Sequence, residues 1–198
     1  MSDRKTLSVY DAKADEYAGL TTSFETDRHL DAFMEALPTG GRVLDLGCGP
    51  GRAAKTMADA GFDVTAWDAS PEMARFGRET FDLDIEVKTF ADLNDVAVYD
   101  GIYANFSLLH SPKSEMPSHL TRIATALRPQ GQFHIGTKTG TGEKRDGIGR
   151  FYTYYADAEL TDLLGAVGLS VQTRATGSDA GLDGVVAPWI IIRAKRDS

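Results

Sequence analysis

The sequence predicts an α/β fold: a doubly wound sheet of seven mostly parallel strands with helices on both faces. Three observations support this prediction. Strand-like and helix-like segments alternate along most of the chain, and a glycine-rich turn at residues 47–51 joins a short apolar strand to a helix. The last two strand-like segments leave no room for a helix between them, so they must pair antiparallel.

Composition and charge limit the kind of protein and its partners. The 198 residues fit one domain, no apolar run approaches the ~20 residues of a membrane span, and the polar N-terminus does not resemble a secretory signal. The single cysteine is typical of a reducing compartment, so we expect a cytoplasmic protein. A formal net charge of −8 should repel nucleic acid and membrane surfaces, which leaves a small molecule as the expected partner. The sequence carries no signal for an oligomeric state.

Two helical segments precede the first strand. Residues 9–18 place Tyr10 and Tyr17 on one helical face, and residues 30–37 repeat apolar side chains with helical spacing before the turn at 38–41. The aromatic face of the first segment fits two interpretations. It covers a ligand site, or it packs the helix on the core.

The central feature is an acidic residue followed by three glycines at every second position, in the sequence Asp45-Leu46-Gly47-Cys48-Gly49-Pro50-Gly51. Glycine tolerates positive φ and, because it lacks Cβ, lets a ligand approach the backbone closely. The helix that follows offers unpaired N–H groups, which suit a carboxylate or a phosphate. The turn lacks the Gly-Lys-Ser/Thr of a phosphate-binding loop, and Arg52 stands where a dinucleotide fingerprint has its third glycine.

The next strand and helix place a second acidic residue at the same edge of the sheet. A helix at residues 51–60 leads to a strand at residues 62–67, which is followed directly by Asp68. Ser70 is expected to cap the next helix and Pro71 to begin it. Ligands of open α/β sheets bind at the carboxyl ends of the strands, and a carboxylate there can accept hydrogen bonds from both hydroxyls of a ribose.

A third strand at residues 85–90 and a fourth that begins at residue 99 lead to a loop ending at His110. His110 is the candidate general base, because the ordinary pKa of histidine lies near neutrality. The alternative is a structural hydrogen bond. The other histidines fall on predicted helices or within a predicted strand, which makes them weaker candidates.

The second half of the chain continues the alternation. Ser114 is expected to cap a helix that reaches residue 127, and a fifth strand follows at residues 133–137. Residues 138–150, rich in glycine and charge, are expected to form an exposed, mobile loop. Asp157 is expected to cap the last helix, before strands at residues 169–174 and 185–194.

The pattern Asp-x-Gly-x-Gly-x-Gly at residues 45–51 resembles motif I of the class I S-adenosylmethionine (SAM)-dependent methyltransferases, and the resemblance covers most of residues 40–195. It implies a Rossmann-like core over those residues and a helical lid over residues 1–38. It also implies SAM as cofactor and S-adenosylhomocysteine as product. No metal is expected, because the scattered carboxylates and histidines show no metal-ligand spacing. The implied reaction is in-line transfer of a methyl group to O, N or S of an unidentified small molecule.

The resemblance also implies roles for individual residues. Asp45 would organise the amino-acid end of SAM, Asp68 would hold the ribose, and Asp92 would lie next to the adenine amino group. The loop after the fourth strand would pass the methionine portion. The expected cofactor-binding residues are Tyr10, Tyr17, Asp45, Gly47, Cys48, Gly49, Gly51, Asp68, Ala69, Met73, Ala91, Asp92, Leu93, Asn105, Phe106 and Ser107.

The acceptor pocket is expected at the loop after the fifth strand and the aromatic cluster that follows it. Arg145 and Arg150 could hold an anionic group, and Tyr152 and Tyr154 could pack a ring or attract the sulfonium by about 0.5–2 kcal/mol. The alternative is a solvated loop followed by ordinary core aromatics. Two other functions stay open, an NAD-dependent oxidoreductase and a SAM-binding regulator without catalysis.

Overall fold

The computed structural model describes residues 3–13 and 27–198. Its strands are β1 (Arg42–Leu46), β2 (Asp63–Asp68), β3 (Ile85–Val87), β4 (Tyr99–Asn105), β5 (Leu127–Lys138), β6 (Glu143–Arg145), β7 (Phe151–Thr153), β8 (Leu169–Ala180) and β9 (Val186–Arg196). Its helices are α1 (Arg4–Ala12), α2 (Arg28–Glu35), α3 (Arg52–Asp59), α4 (Pro71–Phe81), α5 (Met116–Ala126) and α6 (Asp157–Gly165). Tyr17 and the second half of the predicted helix at residues 9–18 lie outside the described residues.

Seven strands form one sheet in the order β3-β2-β1-β4-β5-β9-β8. β1 pairs parallel with β2 and β4, and β9 runs antiparallel between β5 and β8. The predicted fold class is confirmed, including the single antiparallel strand. The order of the strands reverses between β1 and β4, and such a switch point opens a crevice at the carboxyl ends of the strands.

The two faces of the sheet bury different clusters of apolar side chains. On one face, Phe33 of α2 and Met57 of α3 pack with Val43 and Tyr103. On the other face, the larger cluster joins the central strands to α5 and α6. Fully burying one such side chain contributes about 1.5–3 kcal/mol, so these layers hold β1 and β4 in fixed positions beneath the switch point.

One of three predicted helix N-caps agrees with the structure. Ser70 caps α4 through a hydrogen bond from Met73 N to its hydroxyl at 3.1 Å, and Pro71 is the first helical residue, as predicted. The prediction for Ser114 was wrong, because it lies in a 3₁₀ turn and α5 begins at Met116. The prediction for Asp157 was wrong as well, because Ala156 is the N-cap and Asp157 is the first residue of α6.

Residues 138–150 form part of a hairpin and not an irregular loop, which corrects the prediction. β6 pairs antiparallel with β7, with Arg145 opposite Phe151. The Asp146 side chain closes the turn by accepting hydrogen bonds from the backbone N–H of Ile148 at 3.2 Å and of Arg150 at 2.8 Å. This local bonding gives the glycine-rich segment a defined conformation.

β8 and β9 are longer than predicted, and β8 continues to Ala180 through residues expected to form a polar connector. None of the helices in the described ranges is both long and apolar enough to cross a bilayer.

Candidate active site

A cavity of about 530 Å³ opens at the switch point, next to the turns that follow β1, β2 and β4. Its volume lies in the range of about 300–1,000 Å³ that is usual for small-molecule sites. Most of the expected site residues line it, namely Tyr10, Asp45, Gly47, Cys48, Gly49, Asp68, Ala69, Met73, Asn105, Phe106, Ser107 and His110.

The glycine turn has a backbone that requires its glycines. The φ angles of Gly47, Gly49 and Gly51 are 77°, 56° and 85°, in the left-handed region. A Cβ on Gly47 would lie 2.5 Å from Cβ of Ser107, so this glycine lets the turn after β1 approach the loop after β4. Gly51 caps α3 and faces Leu83 rather than the cavity. The prediction that Gly51 contacts the cofactor is therefore not matched by its placement.

Asp45 brings a buried carboxyl group to the cavity. Its exposed fraction is 3%. Burial, and after it the nearby charge of Asp68, raises the pKa of Asp45 to about 7. Its Oδ2 atom is buried and has no hydrogen-bond partner among the described residues. A buried acceptor without a partner is costly, and a positively charged ligand group would remove this cost.

Asp68 joins two turns at the edge of the cavity. Its Oδ2 accepts a hydrogen bond from Gly49 N at 2.7 Å, and its Oδ1 accepts one from Ser70 N at 2.8 Å. Burial raises the pKa of Asp68, and these backbone hydrogen bonds oppose that effect. Each carboxylate oxygen can accept more than one hydrogen bond, so Asp68 can also serve a ligand hydroxyl.

Asp92, which was expected next to adenine, and its neighbours Ala91 and Leu93 are not in the cavity lining. Ala91 is exposed, Leu93 is 1% exposed and belongs to the core, and Asp92 faces away. The Asp92 carboxylate accepts hydrogen bonds from the backbone N–H and the hydroxyl of Thr89, at 2.8 and 2.7 Å. This capping box turns the side chain outward, and Phe90 lines the cavity instead. Phe90 was predicted at the end of the third strand, but that strand ends at Val87.

The loop after β4 is fixed by bonds to its neighbours. Ser107 donates from Oγ to the carbonyl oxygen of Leu46 at 2.6 Å, and Phe106 adopts φ of 53° with its N–H bonded to Gly136 O at 3.0 Å. Asn105 Oδ1 lies 3.1 Å from His134 Nε2. The hydroxyl of Ser107 therefore serves the fold, and these bonds fix the position of the loop at the edge of the cavity.

His110 lies at the cavity and is bonded on both sides of its ring. Its Nε2 is 2.8 Å from the Tyr10 hydroxyl, and its Nδ1 is 2.6 Å from the carbonyl oxygen of Phe151. Burial lowers the pKa of His110 to about 4, so the imidazole is neutral near neutral pH. A neutral imidazole can accept a proton.

The four expected substrate residues do not line the cavity. Arg145 is exposed and binds the Asp3 carboxylate through two contacts of 2.9 and 2.8 Å. Arg150 is 2% exposed and pairs with Asp146 at 2.8 Å. Tyr152 is 4% exposed, and Tyr154 is half-buried. This hairpin lies behind α1 and supports it, because Phe151 N also donates to Thr6 Oγ1 at 2.8 Å.

Several lining residues were not identified from the sequence. They come from the first turns of the helices around the cavity and from β4, and include Asp3, Thr6, Asp27, Asp31, Arg52 and Tyr103. Asp3 and Asp27 both cap helices, a signal that sequence reasoning could have used. Within residues 3–13 and 27–198, no group of three or more histidine, cysteine, aspartate or glutamate side chains is arranged to hold a metal ion.

Comparison with known proteins places these residues in a family. A family model described as a methyltransferase domain matches residues 43–131. The chain is 32% identical over 112 residues to a ubiquinone biosynthesis O-methyltransferase of Xanthomonas axonopodis pv. citri (strain 306). This match covers 52% of this chain and 46% of that protein. The chain is also 30% identical over 195 residues to hemagglutinin 1 of Eikenella corrodens, and this match covers 86% of this chain and 61% of that protein. The chain thus spans about half to two thirds of the length of such curated relatives.

A solved structure shows the same fold over almost the whole chain. The Burkholderia thailandensis 1,6-didemethyltoxoflavin-N1-methyltransferase, crystallised with 1,6-didemethyltoxoflavin and S-adenosylhomocysteine, matches with a TM-score of 0.78 at 23% identity. The match covers 98% of this chain and 88% of that one. The matched domain, the glycine turn with its acidic residue and the order of the strands together identify a class I SAM-dependent methyltransferase domain in this chain.

Proposed function

We propose that this protein is an enzyme that transfers a methyl group from SAM to an O, N or S atom of a small molecule. One observation carries the proposal. A single cavity joins the glycine turn, the carboxyl groups of Asp45 and Asp68, and the Tyr10–His110 pair. A cofactor site and a proton acceptor in one enclosed space are the two parts that such a transfer needs.

The described residues fit the parts of SAM. The unpaired Asp45 Oδ2 suits the ammonium group, and Asp68 suits the ribose hydroxyls. Phe90 and Met73 offer apolar surface for the adenine ring, and the backbone around Asn105 borders the methionine portion. When bound, SAM supplies a methyl group activated by the positive charge of its sulfonium.

The contribution of the chain is alignment and exclusion of water. Holding two reactants in the productive geometry can supply about 7–11 kcal/mol of a reaction barrier. α1 lies across the cavity with Tyr10 facing it, and Ser70 Oγ donates to Asp11 Oδ1 at 2.5 Å, so this helix is tied to the cofactor side. We infer that residues 1–38 act as a lid on a single domain.

The names of two similar proteins support a ring-shaped acceptor. One relative is named for O-methylation in ubiquinone biosynthesis, and one structural neighbour is named for N1-methylation of 1,6-didemethyltoxoflavin. The negative charge of the chain favours a small molecule over nucleic acid or membrane, and the single cysteine favours a reducing, cytoplasmic setting.

The two alternative functions have less support. Arg52 lines the cavity where a dinucleotide site would have a glycine, which counts against NAD. A regulator without catalysis would have no use for an open space beside His110, and the cavity reaches this residue.

Calorimetric titration of the purified protein with SAM, S-adenosylhomocysteine and NAD tests the proposal. We expect micromolar binding of the first two ligands and no heat with NAD. Binding of NAD without SAM would overturn the cofactor assignment and every role derived from it.

A further inference from the structure

Tyr10 and His110 meet inside the cavity although they are 100 positions apart in the sequence. The Tyr10 hydroxyl lies 2.8 Å from His110 Nε2, and the two rings pack edge to face with centroids 5.4 Å apart. Both side chains line the same cavity as Asp45 and Asp68. The fold thus brings a phenol and an imidazole together at the wall of this cavity.

The hydrogen bonds around this pair have a defined direction. His110 Nδ1 lies 2.6 Å from the carbonyl oxygen of Phe151, so Nδ1 carries the ring hydrogen and Nε2 is the acceptor. Arg150 Nη1 donates to the Tyr10 oxygen at 3.1 Å. Because Nε2 carries no hydrogen in this tautomer, the Tyr10 hydroxyl donates to it, and the Arg150 guanidinium donates to the Tyr10 oxygen.

Arg150 is itself held in place. Its side chain is buried and forms an ion pair with Asp146 at 2.8 Å, and its guanidinium lies 5.1 Å from the centre of the Tyr152 ring. The Tyr152 ring also contacts His110, with centroids 4.7 Å apart. The pair therefore rests on packed groups that fix the positions of its oxygen and nitrogen atoms.

We propose that Tyr10 accepts the proton that the methyl acceptor loses, that Tyr10 passes its own proton to His110, and that the acceptor is an aromatic hydroxyl. This inference rests on the proposed function, because it assigns a substrate class to that same site. Proton transfer is efficient between groups of similar acidity, and phenols share the ordinary tyrosine pKa of about 10. The neighbouring Phe106 adds aromatic surface for a planar ring.

The step balances in atoms and charge. The acceptor O–H bond breaks, its proton forms a new bond to the Tyr10 oxygen, and the original Tyr10 proton moves to His110 Nε2. The electron pair left on the acceptor oxygen forms the bond to the methyl group, and the pair of the sulfur–methyl bond returns to sulfur. His110 ends as an imidazolium whose Nδ1–H stays bonded to Phe151.

The charge of the enclosed site does not change during this step. Before transfer the positive charge lies on the sulfonium, and after transfer it lies on the imidazole. Burial lowers the pKa of His110 to about 4, so the ring is neutral and ready to accept when SAM and the acceptor bind. With a pKa of about 4 the imidazolium is a strong acid, so it releases the proton again once the methyl group has been transferred.

The hydrogen-bonded pair can be tested without cofactor or acceptor. In protein labelled with ¹⁵N-histidine, we expect His110 to carry its hydrogen on Nδ1 and to accept at Nε2, with the signal assigned through His110→Gln. Tyr10→Phe should shift the Nε2 resonance toward that of an unbonded nitrogen. A matched control is Ser8→Ala, which removes a hydroxyl from an exposed position of the same helix, where it donates to Arg4 O.

Release of S-adenosylhomocysteine with two kinds of probe tests the proton transfer. The first kind is a set of simple phenols (phenol, 4-methylphenol and catechol), which are protonated near neutral pH. The second is thiophenol, which is largely ionised and has no proton to lose. Tyr10→Phe should lower turnover of the phenols by about 100-fold or more and leave the thiophenol rate near that of the wild type.

Each other outcome contradicts the proposal in a distinct way. Equal losses with both kinds of probe, or no loss with the phenols, would show that Tyr10 only packs the helix. A wild-type protein that binds SAM but methylates none of the phenols would overturn the acceptor class, while methylation of thiophenol alone would leave the proposed function intact. Absence of SAM binding would instead remove the proposed function itself.

Discussion

The backbone N–H of Gly49 donates to the carboxylate of Asp68 at 2.7 Å, which ties the glycine turn after β1 to the end of β2. The second oxygen of the same carboxylate accepts from Ser70 N at 2.8 Å. One side chain therefore holds two turns that border the cavity while it faces the cavity itself. We therefore expect substitutions at this position to affect both the fold and the binding of a ligand.

Asp68→Asn should separate these two effects better than alanine, because the amide keeps one oxygen acceptor. A hydrogen bond to a charged group contributes about 1.5–3 kcal/mol, so we expect SAM affinity to fall by roughly 10- to 150-fold. Calorimetry measures the affinity. Asp63→Asn is the control, because Asp63 begins the same strand and is exposed at the opposite edge. Equal affinity of the Asp68 variant and the wild type would remove Asp68 from the ligand contacts.

Asp45 should make SAM binding depend on pH. The pKa of Asp45 is raised to about 7, chiefly by burial, so its carboxyl group in the free protein is protonated below that pH. A cationic ligand group pairs with the ionised form, and its binding must therefore expel the proton under acidic conditions. We expect the affinity for SAM to fall by up to about tenfold for each pH unit below 7 and to level off above it. A flat profile in calorimetric titrations would argue that Asp45 does not meet the ammonium group.

The same carboxyl group should lower stability at higher pH. A folded-state pKa above the ordinary value means that the folded protein binds more protons than the unfolded chain, so stability is lost as pH rises from about 4 through about 7. Asp45→Asn removes the buried charge. Near pH 8 we expect its free energy of unfolding, measured by urea denaturation, to exceed that of the wild type by about 1–3 kcal/mol. The gain should shrink near pH 5, where wild-type Asp45 is protonated. A loss of stability at both pH values would contradict this.

Local sequence predicted the parts of the site that depend on neighbouring residues. The glycine turn, the acid at the end of β2, the cap at Ser70 and the antiparallel last strand all follow from spacing and residue type within about ten positions. Asp92 was misplaced, because the direction of its side chain is decided by the capping hydrogen bonds from Thr89. The pattern of residue types alone does not report which way a short 3₁₀ turn points its side chains.

The contacts around α1 could not be predicted for a different reason. Asp3 and Arg145 are separated by 142 positions, and Tyr10 and Arg150 by 140. Such pairings depend on how the first helix and the hairpin of β6 and β7 pack in space. The sequence identified Tyr10, Arg145 and Arg150 as polar or aromatic residues near a site, but only the fold reveals that the two arginines hold the helix.

Gly47→Ala should damage both fold and ligand binding more than a comparable change elsewhere. Alanine at φ of 77° is strained, and its Cβ would lie 2.5 Å from Cβ of Ser107. Gly61→Ala is the matched control, because Gly61 has φ of 91° but no heavy atom of the described residues lies within 4 Å of the position that a Cβ would take. Left-handed strain alone costs about 1–2 kcal/mol. We expect thermal unfolding to show that loss for Gly61→Ala and a larger one for Gly47→Ala, with SAM binding abolished only in the latter.

Arg145→Ala should loosen α1 without unfolding the core. Arg145 holds Asp3 through two nitrogen–oxygen contacts, and hydrogen bonding to Arg145 lowers the pKa of Asp3, so the pair persists at neutral pH and is lost only in strong acid. The pair is at the surface and contributes little to global stability. Its local effect should be larger, because it fixes the first turn of the helix that carries Tyr10.

Hydrogen exchange measures this local effect directly. In Arg145→Ala, the amides of α1 should exchange faster while those of β4 and β5 keep their protection, and the melting temperature should stay close to that of the wild type. Lys144→Ala is the control, because Lys144 is exposed on the same strand and lies over the Tyr154 ring instead of contacting α1. If both variants exchange like the wild type, the other bonds of α1, among them those from Phe151 to Thr6 and from Arg150 to Tyr10, are sufficient to hold the helix over the cavity.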